Sequence, residues 1–126
     1  MILLVDGDPG FLERCEALLA ADELVYFALD AESARGLLAT VGAAFTVVLI
    51  NINLPGSTGL ELIRDIRRWA PELPVIAIGG EDPGENPEAA HSMGVAATVR
   101  KPITGEWRTA ISRARGRAAA GSGAAG

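Results

Sequence analysis

The chain has 126 residues and a formal net charge of −5, the size of one domain with a core of its own. Nearly half of its residues are apolar and about a fifth are charged, yet no apolar run reaches the roughly 18 residues of a membrane helix, and the acidic balance argues against nucleic acid as the main partner. Cys15 is the only cysteine, which excludes an internal disulfide and fits a reducing cytoplasm.

Apolar runs and amphipathic stretches alternate along the chain. MILLV (1–5) is too hydrophobic for a one-sided strand, and with no basic segment ahead of it and an acid at position 6 it does not read as a signal peptide. Asp8 before Pro9 is a helix start, a capping oxygen followed by proline at the first helical position. Phe11, Leu12, Cys15, Leu18 and Leu19 recur at helical spacing as far as Ala21, and on that stripe Cys15 reads as a small core residue. LVYFAL (24–29) is the second strand. A second helix over 31–41 turns Leu37, Leu38 and Val41 inward. FTVVLIN (45–51) is the third strand, apolar on both faces. Ser57 or Thr58 caps the next helix, which runs to Trp69 with Leu60, Ile63, Ile66 and Trp69 on one side. PVIAIGG (74–80) is the fourth strand. Pro83, Gly84 and Pro87 then delay the following helix to about 88–93, leaving GGEDPGENPE as an acidic, proline-bearing loop. AATVRK (96–101) is the fifth strand, and Trp107, Ala110, Ile111 and Ala114 mark a last helix. After Arg117 the sequence AAAGSGAAG has nothing to bury and reads as a flexible tail or linker over 117–126, leaving 1–116 as the domain.

Five apolar strands separated by helices predict an α/β fold, a five-stranded parallel sheet doubly wound by helices on both faces. The site of such a sheet lies at the carboxyl ends of its strands, where strand order reverses. That places Asp6, Gly7 and Asp8, then Asn51–Asn53, then Gly79 and Gly80, then Lys101 and Pro102 around one pocket. Lys101 is the only lysine, and a slim ammonium suits a pocket better than a guanidinium. Its expected partner is Asp6, with the amide oxygen of Asn51 as a second.

The strings ILLVDGDP, VVLININLPGSTGLELIRDIR, LPVIAIGG and VRKP, in this order, resemble the receiver domain of bacterial response regulators over about residues 1–116. The resemblance implies two-component, phosphorelay signalling on a flavodoxin-like sandwich. It implies an aspartate that accepts a phosphoryl group from a partner's phosphohistidine, an acid pair that holds Mg²⁺, a hydroxyl and a lysine on the phosphoryl, and a cis peptide before the proline. Carried over by position, the acceptor is Asn51, the acid pair is Asp6 and Gly7, the hydroxyl position is Gly79, the lysine is Lys101 and the metal-binding carbonyl is that of Asn53. The aromatic switch position is Thr98.

An amide cannot form the acyl phosphate, and Gly79 has no hydroxyl to offer. Mg²⁺ is normally held through carboxylates, and only Asp6 remains at a matching position, with Asp8 and Asn53 as weak remnants. A degenerate receiver is therefore expected, not an enzyme and with no cofactor. It would act by contact with a protein partner, whether sensor kinase, second regulator, output domain or another copy of itself. Its output face would include Thr98, Glu88, His91 and Trp107, although Trp107 shares the core stripe of Ile111. The alternatives are a sensor for a small anion or metabolite, and the receiver half of a longer regulator.

Overall fold

The computed structural model describes residues 1–21, 23–80 and 86–125. Residues 81–85, the centre of the acidic loop singled out in the sequence, lie outside the described residues. Strands β1 (Ile2–Val5), β2 (Val25–Ala28), β3 (Val47–Asn51), β4 (Val75–Gly79) and β5 (Ala97–Arg100) form one parallel sheet in the order β2-β1-β3-β4-β5. Helices α1 (Pro9–Leu19), α2 (Ala31–Val41), α3 (Gly59–Trp69) and α4 (Gly105–Ala125) cover it. This is the predicted architecture, with each strand a residue or two shorter than its apolar run.

Alternation along the strands divides the core into two layers. Leu3, Val5, Val48, Ile50, Val75 and Ala77 pack with Ala31 and Ala34 of α2 and with Leu62, Ile63 and Ile66 of α3. Ile2, Leu4, Val47, Leu49, Ile76 and Ile78 pack on the other side with Phe11, Leu12 and Cys15 of α1 and with Trp107, Ile111 and Ala114 of α4. Successive strand side chains point to opposite faces, so strands buried on both faces must be apolar throughout.

The helix starts follow local hydrogen bonding. Asp8 Oδ1 accepts from the Gly10 and Phe11 amides at 3.0 and 3.3 Å, with Pro9 in the first turn, as the sequence predicts. Asp30 caps α2 by accepting from the Ser33 amide at 2.7 Å, a start the sequence reading did not assign. Of the two candidates for α3 it is Thr58 that caps, accepting from the Glu61 amide at 3.4 Å.

Between β3 and α3 the chain folds back on itself. Asn53–Leu54 pairs antiparallel with Ser57–Thr58 around a Pro55–Gly56 turn. Gly56 takes φ 76° there, the value a type II turn requires after its proline. At Gly59 the start of α3 crosses the end of β3 so closely that a Cβ would lie 1.9 Å from the Asn51 carbonyl oxygen. Only glycine fits.

Four expectations need correction. Val41 and Trp69 do not face the core, being 37% and 57% exposed. Each is the last residue of its helix. The fourth helix is a 3₁₀ helix, Pro87–Met93. The last helix continues to Ala125, through the segment read as a tail; alanine is the best helix former, and Gly121 and Gly123 do not interrupt it.

Candidate functional site

The order reverses on either side of β1 and β3, so the loops after these strands meet above the sheet. Asp6 directly follows β1 and Asn51 ends β3; both are polar and both are buried, at 1% and 4% exposure. Asn51 Nδ2 donates to Asp6 Oδ2 at 2.8 Å. Its Oδ1 accepts from the Asn53 amide at 2.8 Å. The amide is thereby fixed in one orientation, nitrogen to the carboxylate and oxygen to an N–H.

Lys101 follows β5, and its peptide bond to Pro102 is cis, as the family resemblance implied. The ammonium lies 3.2 and 3.0 Å from the two Asp6 oxygens. Asp6 Oδ1 also accepts from the Asp8 amide at 2.9 Å. The expected Asp6–Lys101 pair is present, but Asn51 enters it through its nitrogen on Asp6 rather than its oxygen on Lys101. Beneath the ammonium lies the Phe11 ring, 4.2 Å from Nζ to centroid, and Trp107 meets Phe11 edge-on at 5.6 Å. A partly buried cation between a carboxylate and an aromatic face is well compensated.

Asp6, Gly7, Asp8, Asn51, Asn53 and Lys101 thus come together around a pocket of about 390 Å³, joined by Leu54 and Pro55. Gly79 is buried at the end of β4, where its carbonyl accepts from the Lys101 amide at 3.0 Å, and it does not line the pocket.

A family model for the response regulator receiver domain matches residues 2–111. The chain belongs to this family. As a receiver domain of two-component signalling it is similar to the nitrogen assimilation regulatory protein NtrX of Azorhizobium caulinodans, 33% identical over 83% of this chain and 23% of that protein. It is also similar to the transcriptional regulatory protein AruR of Pseudomonas aeruginosa, 33% identical over 90% of this chain and 47% of that protein. The chain therefore spans between about a quarter and a half of these relatives. Among solved structures, a receiver domain protein from Clostridium thermocellum superposes with a TM-score of 0.83 at 25% identity, covering 92% of this chain and 94% of that one. NtrX from Brucella abortus superposes at 0.87 with 26% identity over 98% of this chain and 28% of that one.

Receivers work with Mg²⁺, and the residues present do not fit that ion. Every oxygen of Asp6 already faces Lys101, Asn51 or the Asp8 amide. Asp8 turns its Oδ1 to the first amides of α1 as their cap. Gly7 contributes no ligand, and a Cβ built there would stand 2.8 Å from both Cγ and Cδ of Pro55. Among the described residues no group of three or more His, Cys, Asp or Glu side chains gathers.

The residues expected on the output face divide. Glu88 and His91 are exposed on the 3₁₀ helix, and Glu88 lies 3.5 Å from Arg100 at the end of β5. Thr98 is half-buried in β5. Trp107 does not belong with them, being 2% exposed against Phe11; its place in the apolar stripe of α4 prevailed. Cys15 is buried as expected, and burial with Asp6 nearby pushes its thiol up to about 12, so it stays protonated.

Two residues of the site escaped sequence reasoning. Phe11 was legible only as core, although it carries the ammonium of Lys101. Pro55 was legible only as a turn. A second cavity, about 690 Å³, opens at the opposite end of the sheet between Leu38, Phe45, Ile66, Trp69 and Leu73. It holds none of the pocket residues. Among the described residues no helix is long and apolar enough to cross a membrane.

Proposed function

We propose that this receiver domain signals without being phosphorylated, held in one state and acting through contact with a protein partner. The observation that carries the reading is the buried bond from Asn51 to Asp6. Where the family's phosphoacceptor stands there is an amide, and its nitrogen supplies the bridge between the two strand ends that a cation would otherwise supply. Lys101 is drawn into the same cluster, so its charge is compensated before any phosphoryl group arrives. No resident cofactor and no catalysis by the domain belong to this reading.

The partner would be a sensor kinase, another regulator, an output domain or a second copy of the chain. The related regulators are longer than this chain, which favours an output domain or regulator as the class to test first. The contact surface would be the exposed side of the 3₁₀ helix and β5, with Glu88, His91 and Thr98. The alternative of a small-anion sensor is disfavoured because Lys101 is already paired and Gly79 does not reach the pocket.

Incubation of the purified chain with acetyl phosphate and Mg²⁺, followed by intact-mass measurement, tests the reading. The mass should stay unchanged. A gain of one phosphoryl group that also alters the conformation would overturn it. Thermal shift against a panel of small anions and metabolites separates the sensor alternative, for which a saturable rise in melting temperature is required.

A further inference from the structure

The cavity at the amino ends of the strands has walls that the fold holds in place. Arg35 of α2 and Asp65 of α3 join at 2.8 Å. One turn further along each helix, Leu38 and Trp69 line the cavity, together with buried Phe45 and Ile66. Tyr26 meets the Phe45 ring edge-on at 5.7 Å. The Arg67 guanidinium donates to the carbonyls of Ala70, Pro71 and Leu73, the first two at 3.4 and 3.2 Å. Those bonds fix the segment that brings Leu73 and Pro74 to the lining. The space is preformed.

Its polar side chains are already engaged. Thr46 Oγ1 donates to the Met1 carbonyl at 3.3 Å. Arg115 holds Glu23 through both terminal nitrogens, and Glu72 lies in the field of the Arg67 guanidinium. Water against these apolar walls therefore finds few partners, and a charged ligand meets no uncompensated charge to offset its desolvation. A peptide would bring backbone polar groups for which the lining has no free side-chain partner. The volume of about 690 Å³ falls within the roughly 300–1,000 Å³ of small-molecule sites. Trp69 lines this space and yet stays 57% exposed, an indole without a partner on its outer side.

We propose that this cavity is a binding site for a small uncharged aromatic molecule, seated against Trp69 and Phe45. The site lies at the opposite end of the sheet from Asp6 and Asn51. The proposal thus goes beyond the phosphorylation-independent reading and holds whether or not that reading stands.

Fluorescence titration of the full chain tests it, with N-phenyl-naphthylamine as the probe, an uncharged dye that brightens in apolar surroundings. Anilinonaphthalene sulfonate, the same rings carrying a charge, is the comparison. The uncharged dye should fill one saturable site, and the sulfonate should bind at least about 10-fold more weakly, since its charge is desolvated without a partner. Trp69→Ala should weaken the uncharged dye about 5–10-fold, the worth of one aromatic contact. Ala43→Phe, which fills the cavity from its wall, should abolish binding. Both positions are exposed, so both variants should keep the wild-type urea midpoint within experimental error. Leu24 is 63% exposed and lies away from the cavity, so Leu24→Ala should leave the affinity unchanged.

The absence of saturable binding overturns the proposal, as does equal affinity for the two dyes or undiminished binding by Ala43→Phe. Equal losses in the Leu24 and Trp69 variants also overturn it, because the dye then reads scattered apolar surface. So does a wild-type dimer in sedimentation equilibrium that Trp69→Ala dissociates, since the occupant is then a second copy of the chain.

Discussion

Asn51 sits between an acceptor and a donor, Asp6 Oδ2 and the Asn53 amide, and satisfies both at 2.8 Å. A buried carboxylate with a fixed amide donor and an ammonium is stable without a metal ion; two carboxylates at this distance with one ammonium are not. Asn51→Asp is therefore expected to destabilise the metal-free protein by about 3–5 kcal/mol at neutral pH, the range seen when a buried charge loses its compensation. The introduced carboxyl would have its pKa raised in the folded state by Asp6. Its penalty is absent below the ordinary aspartate range and grows as pH rises through it. Urea unfolding at pH 4 and pH 7 checks both size and sign; a variant as stable as wild type at pH 7 would show that the amide is not needed for the fold. The same arithmetic explains why Lys101 is the lysine that remains. It balances Asp6 from 3.0 Å and rests on Phe11, a role independent of phosphoryl chemistry.

At the scale of elements, the junction of β3 with α3 is the tightest in the fold. Gly59→Ala would drive a Cβ into the Asn51 carbonyl, backbone against backbone. Relief requires α3 to pull Ile63 and Ile66 away from the core layer they share with Val48 and Ile50, so a loss of about 3 kcal/mol or more is expected, readable as a lowered urea midpoint with an unchanged slope. A loss below about 1 kcal/mol would mean that α3 is not held here. The strands themselves were legible, because burial on both faces forces an apolar run. Asp8 was legible as a cap and Thr58 as one of two candidates with Ser57, since a short polar side chain before a helix has an amide to bind. Helical periodicity does not say where the opposing surface ends, so Val41 and Trp69 were placed inward and lie outward. The site was legible in most of the residues that meet, including the Asp6–Lys101 pair, but Gly79 was placed at the pocket and does not line it. The direction of the Asn51 amide was not, because it depends on the Asn53 amide, which the sequence leaves free to point elsewhere. The contact of Pro55 with Gly7 depends on how the loop after β3 lies across the loop after β1, and nothing local to either segment encodes it.

Over the whole molecule, the two ends of the fold are tied together at Glu23, on the loop before β2. Arg115 of α4 grips its carboxylate through both terminal nitrogens, one at 2.7 Å, and the chain's amino group lies 3.3 Å away. The hydrogen bonds from Arg115 hold the Glu23 carboxyl below its ordinary value of 4.5, against the opposing pull of burial. A depressed carboxylate pKa contributes stability that is present above the ordinary value and lost as pH falls through the folded one. Glu23→Gln should therefore cost about 1 kcal/mol at pH 7, the upper range for a partly exposed pair. The gap to wild type should close as the pH is taken below the glutamate range. Unfolding free energies of the two proteins between pH 7 and pH 3 test this. Parallel curves over the whole range would mean that the clasp contributes through packing and not through charge. The predicted convergence also separates this clasp from the pocket. Glu23 sits at the amino ends of the strands and the Asp6 cluster at the carboxyl ends, so the Glu23→Gln and Asn51→Asp losses should add, as those of distant sites do.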